Sequence, residues 1–260
     1  MGYSALIITV LLLLLISKRR PAKATQGSFI APPISNDLSS TITVGAYNIH
    51  RTRGTDGRRD LNRIAGMLSK CDIAGLSELE GGTPFILENQ LHKLAKKLNL
   101  AGVFACNQMR WGFENRGNGA LSRFPINHWA VTPLADTVGN HPRCLLQMEC
   151  QIQGQPVTVF VTHLARRTDQ ESQLKAVLDK FTQYDKAILM GDLNMVGDFP
   201  MLKQVLQAGQ VIDAHQQIPD SDKREKIDWI LVRGVSVKNA GVIHSPASDH
   251  PFYWADIALP

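Results

Sequence analysis

Four residues late in the chain, Ala187-Ile188-Leu189-Met190, are apolar without interruption, and Gly191-Asp192-Leu193-Asn194 follows at once. A strand of that composition has no face to give to solvent, so it belongs inside a sheet that is covered on both sides. The same punctuation recurs along the chain. Asn48 closes the apolar run 42–47, Glu78 follows 72–76, His163 follows 157–161, and Asp249-His250 precede a last apolar run at 252–258. Strand ends can hold several side chains around one crevice with little mobility. A chain punctuated in this way is constrained to a layered fold with its polar groups held at strand ends.

The rest of the pattern says which layers. Leu61, Ile64, Ala65 and Leu68 recur at helical spacing within 59–68. Leu87, Leu91, Leu94, Ala95 and Leu98 do the same within 84–99, where Pro84 suits a first helical turn, and so do Leu174, Val177, Leu178 and Phe181 within 169–183. Strands are expected near 101–106, 119–122, 128–133, 143–151, 156–162, 227–232 and 235–243, with a hairpin turn around Gly154. Helices alternate with strands early, but hairpins crowd the middle and the end. That mix does not suit a purely parallel doubly wound sheet. Two mixed sheets packed together with helices outside suit it better. One domain over 41–260 is expected, with no internal repeat.

A hard divalent cation such as Mg²⁺ takes carboxylate, amide and water oxygens. Glu78 and Asp249 are the first candidate ligands, with Asn48 near the shell. Asp192 and Asn194 alternate along an extended segment, so both can face one side while Leu193 enters the core. An Asp so placed can orient water, and the Asn can donate to a phosphoryl oxygen. Asp228 lies between Ile227 and Trp229, and an acid in an apolar strand is costly unless paired. His250 is its natural partner. Read singly, each of these residues has a plainer explanation: Asn48 and Ser248-Asp249-His250 as turn formers, His163 as a core histidine. Read together they are metal ligands and proton-handling groups.

The first 40 residues are of a different kind. Ala5 to Ile16 is almost purely apolar, and Lys18, Arg19, Arg20 and Lys23 follow. From Tyr3 to Ile16 a helix would be roughly 21 Å long, short against a hydrocarbon core of about 30 Å. The expectation is a retained membrane anchor over 1–20. A cleaved export signal is the alternative, although no basic residue precedes the run and no small-x-small site follows it closely. If it anchors, the basic flank places the following domain on the cytoplasmic side; a cleaved signal would export it. Residues 21–40, rich in Pro, Ser, Ala and Thr, read as a flexible tether. Of the net charge of +5, four units come from Lys18, Arg19, Arg20 and Lys23, ahead of the first acid at Asp37; residues 24–260 carry +1. That balance favours contact of the basic flank with anionic lipid and gives no support to a nucleic-acid-binding surface on the domain. Cys71, Cys106, Cys144 and Cys150 have no CxxC spacing and no clustered histidine, so they read as buried thiols and not as a zinc site.

Seven segments in order carry a resemblance. They are Tyr47-Asn48-Ile49-His50, Asp72-Ile73-Ala74-Gly75-Leu76-Ser77-Glu78, Gly117 to Ile126, Thr162-His163-Leu164, Gly191-Asp192-Leu193-Asn194, Ile227-Asp228-Trp229-Ile230 and Ser248-Asp249-His250-Pro251. From about 42 to 258 the chain resembles the endonuclease/exonuclease/phosphatase superfamily. The resemblance implies a four-layered α/β sandwich and Mg²⁺- or Mn²⁺-dependent attack of water on a phosphoester. It puts Glu78 on the metal, assisted by Asn48 and Asp249. Asp192 would orient or deprotonate the water and Asn194 would bind the phosphate. His250, held by Asp228, and His163 would bind the phosphate or handle protons. Ser77 stands where members commonly carry Gln. Arg167, at the start of the helix after His163, is a further candidate phosphate contact; a solvated helix-start arginine is the plainer reading.

The variable loops bear on the substrate. Trp111, Phe113 and Arg116 either flank the crevice or pack a long loop, and Asp220 to Lys226 alternates charges as a solvated loop does. With the apolar N-terminus, the expectation is a phosphoesterase, first a phosphodiesterase, acting on a lipid headgroup or small phosphoester near a membrane. The alternatives are an endonuclease cleaving DNA and a non-catalytic interaction module. No obligate protein partner is evident.

Overall fold

Strands with two apolar faces need cover on both, and stacking two sheets supplies half of it. The structure, a computed structural model, describes residues 2–17, 20–21, 27–30, 40–83, 88–110, 114–139, 142–217 and 226–260. It opens with α1 (Gly2–Ser17) and the short strands β1 (Arg20–Pro21) and β2 (Gly27–Ile30). There follow β3 (Ile42–Asn48), α2 (Leu61–Leu68), β4 (Ile73–Glu80), α3 (Gln90–Leu98), β5 (Ala101–Arg110), β6 (Glu114–Ser122) and β7 (Ile126–Pro133). The second half runs β8 (Cys144–Ile152), β9 (Gln155–His163), α4 (Gln170–Phe181), β10 (Ala187–Asp192), α5 (Pro200–Gln207), β11 (Ile212–Asp213), β12 (Asp228–Arg233), β13 (Ser236–Ile243) and β14 (Phe252–Ala258).

One sheet has a six-stranded body in the order β5-β6-β4-β3-β14-β13, with β1 and β2 lengthening its β5 edge. The other is six-stranded, β11-β12-β10-β9-β8-β7. Among the described strands only the β3–β4 and β9–β10 pairs are parallel, so both sheets are mixed and mainly antiparallel. Val44, Ala46 and Ile73 of the first sheet meet Val159, Val161, Ile188 and Met190 of the second in the central core. The sheets come so close that a Cβ on Gly75 would stand 2.8 Å from the Met190 Cβ. Ile64 and Leu68 of α2 with Leu91 and Leu94 of α3 cover the first sheet's outer face. Leu174, Val177, Leu178 and Phe181 of α4 with Leu202 of α5 cover the second. The result is the expected α/β sandwich of four layers.

Local chemistry sets the helix ends. Asp60 caps α2, its carboxylate accepting from the Asn62 N–H at 2.8 Å, and Asn89 caps α3 by accepting from the His92 N–H at 2.7 Å. The helix expected from 84 therefore starts at Gln90; Pro84 and Leu87 lie outside the described residues. α5 was not expected, because only Leu202 of its eight residues is fully buried and its periodic signal is correspondingly thin. The Gln153-Gly154 turn has both φ angles positive, 50° and 76°, the primed hairpin geometry that matches strand twist. All four cysteines are free and buried, and burial pushes the Cys144 and Cys150 thiols up to about 12, which disfavours the reactive thiolate.

The membrane expectation needs correction. Among the described residues no helix is long and apolar enough to cross a membrane. α1 has 16 residues, about 24 Å at 1.5 Å per residue, and falls short of a bilayer core of about 30 Å. Anchoring through the N-terminal segment is therefore overturned, and the cytoplasmic placement that rested on it falls too. Lys18, Arg19 and Lys23 lie outside the described residues, as do most of 21–40. Within that expected tether, Gly27 to Ile30 pairs antiparallel with Gly102 to Ala105.

Candidate active site

Register brings the polar strand ends together. In the parallel β9–β10 pair Asp192 lies opposite His163, and in the antiparallel β10–β12 pair it lies opposite Asp228. Three titratable side chains thus stand in one transverse row, all buried. Gly191 makes the row possible. Its φ is +141°, and a Cβ there would sit 1.9 Å from the Thr162 carbonyl oxygen. After it, Asn194 takes φ 53°, and the Asp192 Oδ1 accepts from the Asn194 N–H at 2.8 Å, which locks the turn. The Asn194 side chain donates to the Leu164 carbonyl at 2.9 Å, so it is held at the rim beside the strand that carries His163.

The other sheet contributes Asn48 and Glu78. On β4 the register slips between Leu76 and Leu79, so Ser77 and Glu78 together oppose Asn118. This bulge, with Glu78 at φ 58°, turns the glutamate out of the ladder. It also explains why the sequence pattern stops at 76 while the strand runs on to Glu80. Ser77 is fully buried and its hydroxyl lies 3.5 Å from the Thr162 carbonyl oxygen, a contact between the sheets. Asn48 Nδ2 lies 3.1 Å from Asp192 Oδ2, 3.4 Å from Glu78 Oε1 and 3.5 Å from His250 Nε2. The Asn48 Oδ1 accepts from the His50 N–H at 3.1 Å, and the Ser248 hydroxyl donates to the Asn48 carbonyl at 2.7 Å. This asparagine ties the two sheets and the Ser248–His250 turn into one constellation.

Asp192 sits at its centre. Its Oδ2 is 3.4 Å from His163 Nε2 and 3.9 Å from His250 Nε2. His250 Nδ1 in turn lies 2.6 Å from Asp228 Oδ2, the partnership expected from the sequence. Asp249 is half exposed, with Oδ1 3.3 Å from His50 Nδ1. Burial, then repulsion from Asp228, push the Asp192 carboxyl up to about 7. Burial works against the charge on His250, but the hydrogen bond and charge of Asp228 overcome it and raise that imidazole to about 9. His163 goes the other way. Burial, with Arg143 and His250 nearby, holds it well below the ordinary histidine value. One protonated and one neutral histidine therefore flank a single carboxylate, the divergence that assigns distinct proton roles.

The acids outnumber their partners, which is what a cation would correct. Asp192, Asp228 and His250 each bring a ligand atom within 4.8 Å of the others, a candidate site consistent with a divalent cation. Asp228 Oδ1 is buried without a hydrogen-bond partner. Glu78 adds a further carboxylate on the far side of Asn48. Not every expected residue joins the group. Arg167 is exposed on the loop before α4 and lines an adjoining cleft with Arg143. Trp111 and Phe113 lie outside the described residues, as does most of the stretch from Asp220 to Lys226. Arg143 itself was not singled out from sequence. Its one signal is a charge set directly before the apolar strand that starts at Cys144.

An α/β sandwich with acids and histidines gathered at its strand ends around one cleft defines a class, that of the metal-dependent phosphoesterases. Residues 45–250 match the model of the endonuclease/exonuclease/phosphatase family. The chain belongs to that superfamily. No curated protein sequence matches it. Among solved structures it is similar to an endonuclease/exonuclease/phosphatase from Beutenbergia cavernae, with a TM-score of 0.72 at 22% identity over 85% of this chain and 72% of that one. The catalytic domain of human Nocturnin, solved with a bound sulfate anion, gives 0.65 at 17% identity over 90% and 98%. A mannosyl-6-phosphatase from Bacteroides thetaiotaomicron gives 0.62 at 17% over 84% and 100%. At such identities the likeness is one of fold.

Proposed function

We propose that this protein hydrolyses a small phosphoester with Mg²⁺ or Mn²⁺ as cofactor. The observation that carries the reading is the convergence of His163, His250 and Asn48 on the buried Asp192 carboxylate, with Glu78 beside them. Glu78 and Asp249 offer carboxylate oxygens, which suits a hard cation, and Asn48 stands near the shell with its Oδ1 bonded to the His50 N–H and its Nδ2 turned to the acids. We assign the ligand role to Glu78 and Asp249 and not to His250, because an imidazole protonated on both nitrogens and bonded to Asp228 at 2.6 Å has no lone pair to offer. A cation so held would supply charge neutralisation at the phosphoryl oxygens.

The chain's own groups do the rest. Asp192 orients the attacking water and takes its proton, the raised value of about 7 making it a better base than an ordinary carboxylate. His250, charged and fixed by Asp228, stabilises the developing negative charge. His163, neutral, donates through Nε2. Asn194 is held at the rim to contact the phosphate, and Arg167 contacts the substrate from the adjoining cleft. The opening in front of Glu78 and His163 is about 190 Å³, the scale of a small substrate. With the membrane anchor gone, a lipid headgroup loses its special claim. Endonuclease activity is the second reading, and the net charge of +1 over residues 24–260 speaks against it.

The test is an assay of the full chain on bis(p-nitrophenyl) phosphate, p-nitrophenyl phosphate, dispersed phosphatidylcholine and supercoiled plasmid, each with Mg²⁺, Mn²⁺ or a chelator. Cation-dependent turnover of a small ester is expected. Efficient plasmid nicking without small-ester turnover would favour the endonuclease, and no turnover of any substrate would refute the reading.

A further inference from the structure

Arg143 stands between two clefts. One, of about 190 Å³, is lined by Glu78 and His163 of the reaction centre. The other, of about 320 Å³, lies beyond it and is lined by Arg166, Arg167 and Gln173. Arg143 lines both, so the two open onto a shared wall. Its surroundings are unusual for an arginine so enclosed. No carboxylate lies within ion-pair distance of Arg143, Arg166 or Arg167 among the described residues, and the Arg143 Nε is buried with no hydrogen-bond partner. Burial lowers the affinity of Arg143 for its proton, and Asp192 and Glu78 only partly restore it through their charge. The acids of the outer cleft are partly engaged elsewhere, although Asp136 keeps its Oδ2 buried without a hydrogen-bond partner and adds to the charge that supports Arg143. Asp169 accepts from the Thr137 N–H at 2.7 Å and from its hydroxyl at 2.9 Å, and Asp136 Oδ1 accepts from the Gly139 N–H at 2.9 Å. Gln173 is spent on the backbone, accepting from the Ala165 N–H and donating to the Ala135 carbonyl.

Three arginines with no carboxylate within ion-pair distance among the described residues, lining a cleft that adjoins a phosphoester site, suit an anion from outside. We infer that Arg143, Arg166 and Arg167 form a second anion subsite, which binds a phosphate of the substrate other than the one cleaved. The inference rests on the phosphoesterase reading and narrows it to substrates carrying at least two phosphates. Such a group can come from a bisphosphorylated small molecule or from a neighbouring link of a short oligonucleotide. The chemistry recognised is the same. The size of the outer cleft favours a single phosphate with its immediate substituent.

The test compares substrates that differ by one phosphate: inositol 1,4-bisphosphate against inositol 1-phosphate, and a 5′-phosphorylated dinucleotide against the unphosphorylated one. Each is assayed with Mg²⁺ on the full wild-type chain, Arg143→Gln, Arg143→Lys and the double variant Arg166→Gln/Arg167→Gln. In wild type the second phosphate should lower KM by about tenfold or more with kcat little changed, as a charge-assisted contact would. Arg143→Gln and the double variant should erase that difference, and Arg143→Lys should restore part of it. The pair showing the difference identifies the source of the phosphate. Equal KM values within both pairs in an active wild-type enzyme would overturn the subsite while leaving the phosphoesterase reading intact. An inactive wild type with every substrate would instead fail that reading. Should Arg143→Gln not fold, the exposed double variant decides alone: an undiminished preference for the second phosphate would overturn the inference.

Discussion

A Cβ on Gly191 would stand 1.9 Å from the Thr162 carbonyl oxygen, and its φ of +141° is hostile to any other residue. Gly191→Ala should therefore destabilise the fold by about 3 kcal/mol or more, read from urea denaturation, with activity lost alongside. The neighbouring substitutions separate chemistry from stability. Asp192→Asn keeps shape and removes the base; it should lower kcat roughly 100- to 10,000-fold while the denaturation midpoint holds or rises, since a buried carboxylate under repulsion from Asp228 is relieved. A variant with near-normal turnover on a verified substrate would remove Asp192 from the mechanism. Asp192, His163, His250 and Asn48 were legible in the sequence because each closes or opens an apolar run. Arg143 was not, since a lone charge before a strand looks like any solvated end until the clefts on either side are seen. The engagement of Asn48 was equally invisible: only the fold shows that its oxygen is taken by the His50 N–H while its nitrogen faces the acids.

At the level of elements, α4 and the loop that carries His215 lend themselves to measurement. Phe181 is fully buried and packs edge-on to Phe160, ring centroids 6.0 Å apart. Phe181→Ala should cost about 3–5 kcal/mol in chemical denaturation, because the helix face and the sheet cannot close over the void. His215 is fully buried, its Nε2 3.0 Å from the Trp254 carbonyl oxygen, and burial, with Lys226 close by, pulls its pKa down to about 4. Unfolded, it titrates near 6.5 and binds a proton that the folded form refuses. Its contribution to stability is therefore complete above about pH 6.5 and is lost as pH falls towards 4, by roughly 3 kcal/mol. Denaturation free energies across that window should fall in wild type, and His215→Gln should flatten that part of the fall. The strands and α4 were readable because their buried stripes are long and unbroken. α5 and the β4 bulge were not, because one has a single buried anchor and the other depends on how Ser77 and Glu78 face one residue of a partner strand.

For the whole molecule, a cation bound only by the folded form shifts the folding equilibrium in proportion to its occupancy. Glu78 lies on β4 and Asp249 just before β14, far apart along the chain, so the unfolded chain has no equivalent site. At a Mg²⁺ or Mn²⁺ concentration a hundredfold above Kd, Tm should rise by about 5 to 10 °C by differential scanning calorimetry. Glu78→Gln should shrink that rise, and an unchanged rise in the variant would move the cation away from Glu78. The layered architecture was foreseeable from the doubly apolar strands; the fate of the N-terminus was not, because composition alone does not fix where a helix stops, and α1 ends at 16 residues. The transverse row of His163, Asp192 and Asp228 has a consequence for how such a chain can change over time. Its three groups stand abreast by counting residues along β9, β10 and β12. Inserting one residue ahead of Asp192 would carry it about 3.3 Å along and turn it to the opposite face. Loops behind the row do not enter the count. Length variation is thus excluded from the strands that carry the row and left to the loops between them.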